Sequence, residues 1–185
     1  MYSTSYPNTK NPYIEGLPVR SSVVFAVFTR YHRLAPASEK GTNHGKSKRL
    51  HNDPARESPL VLDCAHNRDS AIKLRKALDE YFPGKPVVLV FGASEDKDIQ
   101  GMLDALMPRV ERMVAVKSFH PRSIETETLN RYAEKYGKPV SVVPDVAEAV
   151  FEALRMVDAN GMVLVTGSIF VAAGARIAWL NRSHE

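Results

Sequence analysis

The sequence predicts an α/β fold: a doubly wound, mostly parallel sheet with helices on both faces, preceded by an irregular amino-terminal region. Three observations carry it. From Ser58 onward, short apolar runs alternate with helix-period segments five times. The runs show almost no polar alternation, as expected of strands covered on both sides. Each run is followed by a segment long enough to be a crossover helix, and such a crossover returns the chain in the same direction.

The elements follow in order. "PLVLD" (59–63) reads as a short buried strand. "RDSAIKLRKALDEYF" (68–82) has helical spacing, with Ile72, Leu74, Leu78 and Tyr81 near one face, and Pro83-Gly84 stops it. "KPVVLVFG" (85–92) is a strand, and "DKDIQGMLDALMPRV" (96–110) a helix with acid at its start. "RMVAVKS" (112–118) is the third strand. "SIETETLNRYAEKYG" (123–137) is a helix opened by a capping-box spacing from Ser123 to Thr126-Glu127 and closed by Gly137. "KPVSVVPD" (138–145) and "MVLVTGS" (162–168) are the remaining strands. "VAEAVFEALRMVDANG" (146–161) and "IFVAAGARIAWLNR" (169–182) are the remaining helices. Before residue 58 only "SSVVFAVF" (21–28) is apolar, and it reads as a strand or a fragment of one. The chain therefore divides into an irregular segment, 1–48, and a regular domain, 49–185.

Composition narrows the function class. The 185 residues are 44% hydrophobic and 25% charged, ordinary for a globular domain. No run approaches the roughly 20 apolar residues of a membrane span, so no membrane partner is expected. The net charge of +4 belongs to the first 57 residues, which hold nine Lys/Arg against four Asp/Glu. No nucleic-acid motif accompanies that charge, so a solvated basic tail is expected, not a nucleic-acid surface. A single cysteine, Cys64, excludes an internal disulfide, and no secretory signal opens the sequence. Both fit a cytoplasmic protein.

In such a sheet, ligands bind outside the carboxyl ends of the strands. All five strand-to-helix junctions lie at that edge, and they hold Asp63, His66, Asn67, Lys97, Lys117, His120, Arg122, Thr166 and Ser168. The opposite junctions, "FPGK", "MPRVER", "YGK" and "DANG", are plain. The asymmetry favours a site for a polar, anionic ligand, to which helix N-termini at the same edge would add backbone donors. Taken singly, Asp63 is more commonly a helix cap and His66 a partner of a loop carbonyl. It is their company on one edge that favours a site. No metal-binding set surrounds His66 or His120, and no nucleophile arrangement surrounds Cys64, which reads as a small buried thiol. No G-x-G-x-x-G follows a strand. "GTNHGKS" (41–47) has three residues between its glycines where a phosphate loop needs four.

Four ordered segments resemble one family. "PLVLDCAHNRDSAIKLRKAL" is similar to the "DGAHNP" segment that opens the carboxyl-terminal domain of folylpolyglutamate synthase/dihydrofolate synthase, a branch of the Mur ligase superfamily. "VVLVFGASEDKDIQGML" resembles that family's "FG…DKD" segment, "VAVKSFHPRSIETETL" its third strand and Pro-Arg loop, and "VLVTGSIFVAAGARIAWL" its terminal strand and helix. The resemblance runs from about Arg49 to Arg182. It departs at Cys64, where the family has Gly, and at Arg68, where it has Pro. "GTNHGKS" resembles the family's phosphate loop with a His inserted, yet it lies sixteen residues before Asp63, with no room for the central ATPase domain.

The resemblance implies a Rossmann-like Mur ligase carboxyl-terminal domain of an ATP-dependent carboxylate–amine ligase. It implies ATP and Mg, the metal ligands lying on the ATPase domain, and L-glutamate with folate or dihydropteroate as substrates. A domain without the ATPase half would be inactive alone, and a separate ATPase chain would be its partner. By position, Asp63, Asn67 and Arg49 would serve the nucleotide, Arg49 one residue further from Asp63 than in the family. His66 would lie near the reaction centre, and Ser168 at the amino-acid site. Lys97, His120 and Arg122 join the substrate side from their place on the edge. Two alternatives stand beside this: a non-catalytic nucleotide- or anion-binding module, and the same domain of a peptidoglycan-precursor Mur ligase.

Overall fold

Along Val87–Phe91 every side chain is buried, but successive ones enter different layers. Val87, Leu89 and Phe91 join one apolar cluster and Val88 and Val90 another. Met162 and Leu164 part from Val163 and Val165 in the same way. A strand has period two, so an unbroken apolar run serves two cores at once. This is why these runs lack polar alternation.

The computed structural model describes residues 26–28 and 58–181. Its strands are β1 (Ala26–Phe28), β2 (Leu60–Leu62), β3 (Val87–Phe91), β4 (Val110–Ala115), β5 (Val140–Val142) and β6 (Met162–Thr166). Its α-helices are α1 (Arg68–Tyr81), α2 (Ile99–Leu106), α3 (Thr126–Glu134), α4 (Val146–Met156) and α5 (Ile169–Asn181). The sheet order is β1-β2-β6-β3-β4-β5, with β2 to β6 mutually parallel and β1 antiparallel to β2. The doubly wound, mostly parallel α/β class expected from the sequence is the one observed.

The order decides where a ligand can sit. From β2 the chain passes over α1 to β3, then stepwise through α2 and α3 to β5. Ala71, Leu74, Met102, Leu103, Leu129 and Ala133 of these helices share one cluster with the sheet. From β5 the chain turns back over α4 and inserts β6 between β2 and β3. Right-handed crossovers put a returning helix on the other face. Accordingly Ala149, Val150, Ala153, Val171, Ala175 and Trp179 of α4 and α5 build the second cluster. At the carboxyl end of β6 the chain departs to the face opposite that taken after its neighbours β2 and β3. A crevice opens where adjacent strands send their helices to opposite faces.

Several element details differ from the sequence reading. The buried face of α1 is Ala71, Leu74 and Leu78, while Ile72 is exposed, being one residue, about 100°, off that stripe. The helix expected over 96–110 begins at Ile99, because Asp98 accepts from Gly101 N–H at 2.8 Å and fixes the start there. It ends at Leu106 in a 3₁₀ turn, Met107–Arg109, because Pro108 has no N–H to continue the ladder. The capping box expected from Ser123 does not form. The Ser123 hydroxyl instead accepts from Ser118 N–H at 2.9 Å, and α3 starts at Thr126 without a side-chain cap. Of the amino-terminal apolar run, Ala26–Phe28 is the edge strand β1. The 48/49 boundary, Arg49 and "GTNHGKS" lie outside the described residues.

Candidate functional site

Beyond the last paired residues of β2 and β6 the two chains stay laced. Asp63 N–H donates to Val165 O at 3.0 Å, and Gly167 N–H donates to Ala65 O at 3.0 Å. This close approach needs glycine. Gly167 has φ +104°, and a Cβ there would lie 2.5 Å from Gly92 O. Gly92 is equally confined, since its Cβ would lie 2.6 Å from Val116 O. The ends of β2, β6, β3 and β4 are thus drawn together at the topological switch.

Asp63 is 2% exposed in this crevice. Its Oδ1 accepts from Ala65 N–H at 2.7 Å and lies 3.3 Å from the Thr166 hydroxyl. Burial pushes its pKa above the ordinary carboxylate value, against the pull of Ala65 N–H, the Thr166 hydroxyl, Cys64 N–H and the nearby His66. Burial, then the Asp63 charge, pushes the half-buried Cys64 thiol upward as well, so it is kept from the reactive thiolate form.

His66 and Asn67 occupy the turn into α1. His66 is exposed, and its Nδ1 lies 3.0 Å from Cys64 O. Asn67 is the N-cap of α1: its Oδ1 accepts from Ser70 N–H at 2.8 Å, and Ser70 Oγ accepts from Asn67 N–H at 3.1 Å. Asp98 and Asp145 cap α2 and α4 in the same manner, and Ser168 Oγ accepts from Phe170 N–H at 3.2 Å as α5 begins. At each of these four N-termini one backbone donor is therefore taken by the helix's own cap. Among the described α-helices for which the cap is defined, α3 begins without a side-chain cap.

The β3–α2 and β4–α3 loops form one unit. Glu95 N–H donates to Arg122 O, Ile124 N–H donates to Ala93 O, and Ser94 bridges Ser123. Lys97 Nζ lies 3.0 Å from Asp96 Oδ2, and Arg122 lies 3.8 Å from the same oxygen. Lys97 beside it, with Arg122 adding a smaller pull, holds the Asp96 carboxyl below its ordinary value. Two cations thus share the Asp96 carboxylate, with the exposed Glu95 in the same corner. His120 lies in the same loop, its Nδ1 accepting from Arg122 N–H at 3.2 Å.

The structure brings Asp63 and His66 together with the β6 end that carries Ser168, and separately gathers Lys97, His120 and Arg122. A side-chain contact reaches from the β6 end to the second group. The Phe170 ring stacks on His120, with centroids 4.4 Å apart and planes at 20°, and meets exposed Phe119 edge-on at 5.4 Å. The signal for it was an aromatic residue two places after Ser168, in a helix otherwise rich in alanine. Among the described residues no group of three or more His, Cys, Asp and Glu could hold a metal ion, and no helix is long and apolar enough to cross a membrane.

Comparison with known proteins bears on this geometry. The chain is 38% identical over 124 residues to a probable bifunctional folylpolyglutamate synthase/dihydropteroate synthase of Haloferax volcanii, covering 66% of this chain and 15% of that protein. It resembles the structure of E. coli FolC in complex with DHPP and ADP with a TM-score of 0.59 and 26% identity, over 69% of this chain and 30% of that one. It also resembles the bifunctional folylpolyglutamate synthase/dihydrofolate synthase of Yersinia pestis complexed with AMPPNP and Mn ion, with a TM-score of 0.56 and 32% identity, over 66% and 28% of the two chains. The chain thus spans less than a third of the length of these relatives. Residues 49–169 match the Mur ligase, glutamate ligase domain, and the chain belongs to that family.

Proposed function

We propose that residues 49–185 act as the carboxyl-terminal domain of an ATP-dependent ligase that joins L-glutamate to folate or dihydropteroate. One observation carries the reading. Asp63 keeps a buried carboxyl group at the topological switch, where an asparagine would hold the same turn through its Oδ1. A carboxyl group in a cleft whose pKa is raised by burial points to a functional position. The relatives support the same reading: the Haloferax and Yersinia proteins are described as folylpolyglutamate synthases, the E. coli FolC structure holds DHPP and ADP, and the Yersinia structure holds AMPPNP and Mn ion.

In this reading Asp63, Asn67 and Arg49 face the nucleotide, and His66 lies nearest the reacting groups. Ser168, His120, Arg122 and Lys97 serve the amino-acid side, where Lys97 and Arg122, now gathered at Asp96, could turn to a carboxylate. ATP supplies the phosphoryl group that turns a carboxylate, a poor electrophile, into an acyl phosphate that an amine can attack. This domain orients the incoming amine and carries cations toward the charge that develops. The donor set among the described residues does not suit Mg²⁺, so its ligands are assigned to an ATPase region, and no step here is routed through the metal. That region would be a separate or preceding segment, and the setting cytoplasmic.

The test is ligation of radiolabelled glutamate to a folate acceptor by the purified chain, alone and with the ATPase region of a folylpolyglutamate synthase added. The expected result is no product alone, product with the added region, and loss of that product in Asp63→Asn. Absence of product in every mixture, with a positive control intact, would turn the reading toward a non-catalytic binding module.

A further inference from the structure

Two rim histidines hold their Nδ1 atoms in opposite ways. Nδ1 of His66 lies 3.0 Å from Cys64 O, a carbonyl that can only accept. Nδ1 of His120 lies 3.2 Å from Arg122 N–H, a group that can only donate. A neutral imidazole carries one proton, and the partner of one nitrogen decides which nitrogen has it. His66 must then carry its proton on Nδ1 and leave a lone pair on Nε2. His120 must keep its lone pair on Nδ1 and carry its proton on Nε2. Neither Nε2 has a hydrogen-bond partner among the described residues.

The His66 ring is exposed and held by its Nδ1 contact, whereas His120 has a second support. Phe170 lies against its face at 4.4 Å and 20°, and Phe119 backs Phe170 edge-on. Rotating the His120 ring about χ2 to exchange Nδ1 for a carbon would break the Arg122 bond, and tilting it would break the stack. Phe170 belongs to α5 and His120 to the β4–α3 loop, so the clamp also ties the helix that follows Ser168 to the corner that holds Lys97 and Arg122.

We infer that the two rim histidines are fixed as opposite tautomers, His66 offering an acceptor and His120 a donor, and that Phe170 is the positioning residue that holds His120 so. The two junctions lie three strand spacings apart, roughly 14 Å at about 4.8 Å per strand. The His120 end then takes an acceptor oxygen, as in a carboxylate or phosphate, together with Arg122 and Lys97. The His66 end takes a group that bears a proton, such as an amine or hydroxyl. This assignment rests on local geometry and stands apart from the identity of the ligase substrate.

The test is long-range proton–nitrogen correlation on the ¹⁵N-labelled full chain at about pH 8.5, above the ordinary histidine value of about 6.5. Each ring is assigned by its loss in His66→Gln or His120→Gln. The expected pattern is a protonated Nδ1 for His66, a protonated Nε2 for His120, and upfield-shifted His120 ring protons from the Phe170 face. In Phe170→Leu the upfield shift is lost and both His120 nitrogens move toward the averaged values of exchanging tautomers, while His66 is unchanged. Phe170→Tyr restores the wild-type pattern. The assignment is overturned by a protonated Nδ1 in His120, by a protonated Nε2 in His66, or by His120 nitrogens that stay put in Phe170→Leu. If Phe170→Leu fails to fold, the wild-type tautomers and ring-proton shifts still decide the matter.

Discussion

At residue 63 two demands pull against each other: the turn needs an acceptor for Ala65 N–H, and the burial of that acceptor disfavours a charge. Asparagine meets the first demand without the second. Because the folded Asp63 carboxyl has a raised pKa, its proton-linked stabilisation is complete below the unfolded value near 3.8 and is lost as pH rises through the folded value. Asp63→Asn should therefore be at least as stable as wild type at pH 7, with the difference closing as pH falls below about 4. Urea unfolding across that range checks it, and a wild type more stable at neutral pH would contradict it. Asp63→Leu, which leaves Ala65 N–H without its acceptor, should cost about 1–3 kcal/mol below about pH 4 and less at neutral pH. At this scale the position of Asp63, His66 and Ser168 just beyond the strand ends was legible in the sequence, because a strand end followed by a helix start places them without further information. It was a poor guide to Phe170 against His120, fifty positions apart, because only the packing of the start of α5 against the β4–α3 loop brings them into contact.

The elements are fixed by a few close approaches at their ends. Gly167→Ala adds a Cβ 2.5 Å from Gly92 O in a backbone conformation that L side chains rarely adopt. It should destabilise by about 1–3 kcal/mol or more and disturb the amide signals of both strand ends, as thermal unfolding and amide spectra would record. At the opposite edge Arg109 pairs with Asp79 and donates to Phe82 O at 2.7 Å and Lys85 O at 3.1 Å, pinning the end of α1 to the 3₁₀ turn. Arg109→Ala should lower stability by about 1–3 kcal/mol while leaving the amide signals of 63–67 and 166–170 in place. Helix and strand identities were legible in apolar spacing. Their limits were not, where a side chain chose another partner. Ser123 satisfies Ser118 N–H instead of capping α3, and Asp98 caps α2 later than its acidic run suggested.

For the whole molecule, alternation of strand and helix was enough to give a doubly wound parallel sheet, since local pattern dictates local handedness. The insertion of β6 between β2 and β3 was not legible, because it depends on pairing Leu60–Leu62 with residues about a hundred positions later. That insertion is what creates the switch, and with it the crevice holding Asp63 and Thr166. The most direct test of a ligand-binding carboxyl edge is to titrate the 185-residue chain with ADP and with L-glutamate and follow its backbone amide signals. Saturating shifts should gather at 63–67, 117–122 and 166–170, with 83–85, 107–109 and 158–161 at the other edge silent. Shifts confined to that other edge, or no shifts with either compound at millimolar concentration, would contradict the account.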